Sequence, residues 1–397
     1  MGKYYEYSYG EHIPFGVTHL LTNCPLDYVD IPDTVTHIRY GCNQPICHMP
    51  PNIKKIIFDD QYNHTVDHFS SSITHITFGK NYNHISDHLP HSIKYLTFGL
   101  NYNQPTNHLP HGIVSLTFGF HYNQPSDHLP SSITHLVFGG EYNQPTDHLP
   151  SSITHLVFGE KYNQPTNNLP HGIVSLTFGS EYDRVSNHLP DSIQHLTFGL
   201  RYNQQSDHLP KNIKDLTFGY SYNRSTDNLP PNVTHLCFGF NYDQLTDNLP
   251  QSITNLSFGF HYNQITNNLP PHINYLSFDY TYNQCIDHLP SNIKYLRLGR
   301  DYSQQVHRWP PRLKFLHFVS NDNVTLVLPP SIEGVRIYKT DHNTNTQIEK
   351  YADQLCSNYN LIYANVTMER IKEHADGNKN NIQLKSTTLL GNIMDYV

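Results

Sequence analysis

The sequence predicts a mainly β chain, wound as a parallel β-solenoid of about 16 coils of twenty residues each, with a small α/β cap at its C-terminal end. Three observations predict it. First, a Leu-Pro dipeptide returns every 20 residues from Leu89-Pro90 to Leu289-Pro290, and a fixed period of this size is the signature of stacked repeats. Second, each repeat carries Pro at its second position and almost always Gly at its eleventh, so no breaker-free stretch long enough for a helix remains. Third, the segment Ile93-x-x-Leu96-x-Phe98 alternates like a short strand with one buried face.

Counted from the Leu, the repeat reads L-P-x-S-I-x-x-L-x-F-G-x-x-Y-N-Q-x-x-D/N-H/N. Pro90 fixes φ and cannot donate to a ladder, which places it in the bend before the strand. Gly99 admits a close turn after it. Leu89, Ile93, Leu96, Phe98 and Tyr102 supply the core of one coil. Five such residues cannot offset the ordering of twenty, so a coil is stable only between neighbours. The register continues upstream through Phe69 and Met49, shortens to 18 residues from Ile13 and Ile31, and runs downstream through Trp309-Pro310 to Leu328-Pro329. That makes sixteen full repeats and a partial one. Spaced at about 4.8 Å, they would form a rod about 75–80 Å long.

Residues 1–12, with Tyr4, Tyr5, Tyr7 and Tyr9, are expected to be an N-terminal lid, 13–338 the solenoid, and 339–397 a C-terminal cap and tail. Val335 to Tyr338 reads as a strand. Thr344-x-x-Gln347 reads as a capping box that opens a helix with Ile348, Tyr351 and Leu355 on one face. Leu361 to Ala364 reads as a further strand, which would complete a βαβ unit, and Met368 to His374 is a second helical candidate.

Composition narrows the function. A net charge of −8 gives no reason to bind nucleic acid or anionic membranes, no run approaches the length of a membrane span, and no secretory signal opens the chain. The six cysteines include no CxxC pair, which suits a reducing compartment. A soluble, cytoplasmic protein is expected. Whole segments recur unaltered, as in Leu109–Gly119 and Leu169–Gly179, whereas a catalytic centre needs one unique constellation. No phosphate loop, HExxH or GxSxG is present, so neither an enzyme nor a cofactor is expected.

Three rows of side chains recur at fixed positions. Asn83, Asn103, Asn123, Asn143, Asn163, Asn203, Asn223, Asn263 and Asn283 share position 15 and read as a structural ladder serving turn backbone groups. Asp-His pairs such as Asp87-His88, Asp127-His128 and Asp147-His148 recur at one corner. They suit either metal or pH chemistry or a turn ladder, and Asn168, Asn228, Asn248 and Asn268 at the same position favour the ladder. No metal is therefore assigned. On the open face of the strand run His75, Tyr95, His135, His155, His195, His235, Tyr275 and Tyr295, a strip suited to binding protein. The same residue types also simply suit a parallel sheet.

The segment Leu129 to Gln144, L-P-x-S-I-x-x-L-x-F-G-x-x-Y-N-Q, resembles the FNIP repeat, a family of social amoebae and of large DNA viruses of amoebae that is grouped with leucine-rich repeats. The resemblance covers about four fifths of the chain. It implies a leucine-rich-repeat-like coil and a noncatalytic scaffold for protein–protein interaction, in the host-cell cytoplasm if the protein is viral. Tyr stands here where the family usually has Phe before Asn-Gln, and the repeat is slightly shorter. Many members carry an N-terminal F-box that recruits ubiquitin-ligase machinery. With twelve residues before the first repeat, that adaptor role is not carried over. The alternative function is a His-rich module responsive to metal or pH.

Overall fold

The computed structural model describes residues 2–26, 30–46, 49–67, 69–320 and 328–339. Eighteen strands, β1 (Tyr4–Tyr7) to β18 (Gly334–Lys339), form one sheet in which each strand pairs in parallel with the next. No helix occurs among the described residues. The register advances by one repeat per strand, so Ile76, Leu96, Leu116, Leu136 and Leu156 lie side by side. Residues 1–12 contribute β1, which extends the sheet by pairing with β2 (His19–Thr22). Val335 to Tyr338 lies within β18, while the helices and strand expected beyond Lys339 fall outside the described residues.

Each coil closes on two turns. Ile93 N donates to Pro90 O at 3.2 Å, and Tyr102 N donates to Gly99 O at 3.2 Å. Leu89, Ile93, Leu96, Phe98 and Tyr102 are all buried, so the five expected core positions fill the coil. Gly99 has no left-handed φ; a Cβ there would lie within 2 Å of the Gly79 carbonyl of the preceding coil. Close stacking of backbones, rather than turn geometry, sets the glycine row.

The stack is curved, and this corrects the straight rod expected from a uniform spacing. Successive rings translate by different amounts at different depths. His135 and His155, on the strand face, are 4.2 Å apart, and Tyr275 and Tyr295 are 4.6 Å apart. Phe118 and Phe138, inside the coil, are 5.8 Å apart, and Tyr122 and Tyr142, on its far side, are 6.1 Å apart. The strand face is therefore the inner side of an arc. With about 10 Å between layers, the difference turns each coil by roughly 9°.

Candidate functional site

The inner strand face is built by the outward-pointing residues of three-residue strands. In β6 (Tyr95–Thr97), Tyr95 and Thr97 point out while Leu96 is buried. Register brings the sequence-predicted strip into one row of the sheet: His75 beside Tyr95, His135 beside His155, His195 beside Asp215, Asp215 beside His235, and Tyr275 beside Tyr295. Ser115 and Ser175 separate the row into groups. His75 stacks on Tyr95 at 4.3 Å, and His135 stacks on His155 at 4.2 Å.

The imidazoles are oriented by their neighbours. The Thr134 hydroxyl lies 2.8 Å from His135 Nδ1 and 3.2 Å from Val114 O. Thr154 and Thr234 hold His155 and His235 in the same manner. Asp215 bridges His195 Nδ1 at 2.5 Å and His235 Nδ1 at 2.7 Å. Each of these rings is thus engaged at Nδ1. Burial lowers the pKa of His155, with the neighbouring His135 and His195 adding to the effect. Burial also lowers His75, beside Lys55, and His37, beside His19 and Lys55.

The asparagine row serves the turns. Asn83 Oδ1 accepts from Asn103 N at 2.9 Å, and the same bond links Asn103 to Asn123, Asn123 to Asn143 and Asn143 to Asn163. It recurs between Asn203 and Asn223 and between Asn263 and Asn283. The next residue reaches back as well, as Gln144 Nε2 does to Asn123 O and Oδ1 and as His84 and Arg224 do where they replace Gln. Asp183 and Asp243 accept in the same way.

At the corner, Asn168, Asn248 and Asn268 each donate to the Asp of the preceding coil at 3.0–3.1 Å. His108 and His148 approach the corresponding Asp87 and Asp127 at 3.4 Å. Among the described residues, no three His, Cys, Asp or Glu side chains gather as metal ligands would. Cys24, Cys42, Cys237 and Cys285 form no disulfide.

One buried row was missed from sequence. Position 18 is Ser or Thr from Ser86 to Thr266, and these side chains are buried against the tyrosine hydroxyls. Thr146 Oγ1 meets Tyr162 OH at 2.7 Å, and Ser206 Oγ meets Tyr222 OH at 2.7 Å. Where Ile286 takes this position, Tyr302 OH is left without a partner. Ser186 turns to Arg184 O, and Tyr202 OH is likewise unpaired. The signal was present as an unbroken run of small hydroxyl residues at one repeat position.

A second departure from uniformity lies beside the strip. A groove of about 310 Å³ runs along the strand face from Thr177 to Arg297. Its floor is the strand's second outward residue, here Thr217, Cys237, Ser257 and Ser277. One wall is formed by Tyr220, Phe240 and Phe260, stacked at 4.5 Å in an aromatic ladder that continues beyond the groove to Tyr280.

Coils of this geometry, with one short parallel strand each and a strand-lined inner face, define a leucine-rich-repeat-like solenoid. The FNIP Repeat family matches residues 65–181 and 185–301, more than half of the chain, and the protein belongs to that family. Among solved structures, the giant-virus protein CroV588, described as a novel circular LRR protein structure, is 34% identical with a TM-score of 0.72. The match covers 84% of this chain and 58% of that one, so the chain spans a little under three fifths of its length. YopM from Yersinia enterocolitica WA-314 shares the fold at 16% identity and a TM-score of 0.52, covering 83% of this chain and 84% of its own. Among curated proteins, none matches. No helix among the described residues is long and apolar enough to cross a membrane.

Proposed function

We propose that the protein is a noncatalytic scaffold that binds a partner protein on its inner strand face, through the strip His75, Tyr95, His135, His155, His195, His235, Tyr275 and Tyr295. The observation that carries this reading is the register of that row, with its imidazoles each held at Nδ1 by a neighbouring side chain. A partner that lies along it meets aromatic and imidazole rings whose orientation is fixed beforehand, which reduces the ordering cost of binding. The coils keep the same core wherever the strip residue changes, so its identity is free to serve recognition. The expected site of action is the cytoplasm, in the host cell if the protein is viral.

The test is affinity capture from amoebal lysate with identification by mass spectrometry. The comparison is a variant with His135, His155, His195 and His235 changed to Ser, the residue that Ser115 and Ser175 already place in this row. A partner held by the native protein and lost by the variant supports the reading. Equal capture by both, or none by either, contradicts it.

A second reading, a pH-responsive module, is favoured by the depressed pKa values of His37, His75 and His155. Their folded values lie below the unfolded value near 6.5, so stability is intact above that pH and falls as the pH drops through it. A melting temperature that is flat from pH 7.5 to 5.5 would count against it. Its metal version requires zinc or nickel to shift the melting temperature.

A further inference from the structure

The repeat departs from its own rules on the inner face toward its two ends; at the N-terminal end Arg39 and Asp59 take positions 9 and 11 and pair at 2.7 Å. Position 9 is a neutral residue in every coil from Thr77 to Ser277, but Arg297 follows. Position 11 is Gly in every coil from Gly79 to Gly259, but Asp279 follows. Position 12 is Lys80, Leu100, Phe120, Gly140, Glu160, Ser180 and Leu200 in the preceding coils, and then becomes aromatic over four consecutive ones. The fold needs none of this, since the other coils close without it. All three departures meet in one groove, whose end is lined by Arg297, Asp279 and Tyr275.

The charge at that end is incompletely balanced. Arg297 Nη2 lies 3.5 Å from Asp279, at the outer limit of an ion pair, and its buried Nε has no partner. A guanidinium whose own carboxylate partner lies this far off can accept a closer carboxylate from a ligand. The stacked rings of Phe240 and Phe260 offer apolar surface beside it. From Thr177 to Arg297 the groove is about 27 Å long at the 4.5 Å spacing of its rings, the length of about eight extended residues.

We propose that this groove binds an extended acidic segment of the partner protein, with an Asp, Glu or C-terminal carboxylate on Arg297 and apolar side chains along Phe240 and Phe260. It rests on the scaffold reading and names the chemistry recognised at one end of the inner face.

The experiment is display selection of random twelve-residue peptides on the full chain, followed by affinity measurement on synthesised winners. The variants are Arg297→Thr, which restores the residue typical of the row, Phe260→Ser, and the four-histidine strip variant. Melting temperature and circular dichroism establish that each is folded. Winners are expected to carry an acidic residue at a fixed distance from apolar ones. Arg297→Thr should weaken binding at least tenfold, and changing the peptide's acid to its amide should weaken binding to the native chain equally but to Arg297→Thr no further. Phe260→Ser should also weaken it. Winners that lack an acid, or that bind Arg297→Thr unchanged, overturn the proposal. If such winners instead depend on the strip histidines, the scaffold reading stands and only the groove fails. If no peptide is enriched, the groove proposal fails as well.

Discussion

Replacing Asn143 tests whether the asparagine row acts through its acceptor oxygen. Asn143 Oδ1 accepts from Asn163 N at 3.0 Å and from Gln164 Nε2 at 3.1 Å. In Asn143→Ala both bonds are lost. Gln164 keeps the Asn143 carbonyl at 3.0 Å, but the half-buried Asn163 amide has no substitute. Leaving such a donor unpaired costs about 1–2 kcal/mol, discounted for partial access to water. Asn143→Asp keeps the acceptor, and Asp183 and Asp243 show the geometry by accepting from Asn203 and Asn263 at 3.0 and 2.9 Å. Its cost should stay below about 0.5 kcal/mol, within the range of a benign surface change. Urea unfolding followed by far-UV circular dichroism measures both, with midpoints compared only where the slopes agree. Equal losses for Ala and Asp would refute the acceptor argument, because Asp keeps the acceptor oxygen that Ala lacks.

The tyrosine row makes two further predictions. Burial pushes the Tyr82 hydroxyl up to about 12 and raises Tyr122, Tyr142 and Tyr162 further. Folded values above the unfolded value near 10 mean that this stability is complete below about pH 10 and is lost as the pH rises through the folded values. Phenolate absorbance near 295 nm should therefore appear together with loss of circular dichroism; phenolate titrating ahead of unfolding would contradict it. Thr146→Val should cost about 1–3 kcal/mol by stranding the buried Tyr162 hydroxyl, and adding Tyr162→Phe should recover much of that loss. Additive losses in this double-mutant cycle would show that the two hydroxyls do not act as a pair.

The coil was legible because one pattern is written many times. Leu96 and Phe98 alternate, Pro90 and Gly99 bracket them, and parallel register follows from a constant period. The asparagine row was legible for the same reason, since its partner is always the same residue one repeat away. Curvature was not legible. It arises from a difference of under 2 Å between the spacing of His135 and His155 and that of Tyr122 and Tyr142, which depends on packing depth rather than on residue type. The Ser/Thr row was written plainly but lay at a position whose residues vary between two types. Its role became visible only when Thr146 met a tyrosine from the following coil. The groove required both kinds of information: Arg297 and Asp279 break the repeat in the sequence, but only the fold puts them in one groove.

The account's central claim is that a partner protein lies on the inner strand face, and site-directed photo-crosslinking tests it most directly. A benzophenone amino acid is placed in turn at Tyr95 and Tyr295 on that face, and at Val185 and Leu245, which are exposed outside the strands. After irradiation in amoebal lysate, the account predicts that Tyr95 and Tyr295 crosslink to one and the same protein, and that Val185 and Leu245 do not. Crosslinks to a common protein from Val185 and Leu245, with none from the strand face, would contradict it.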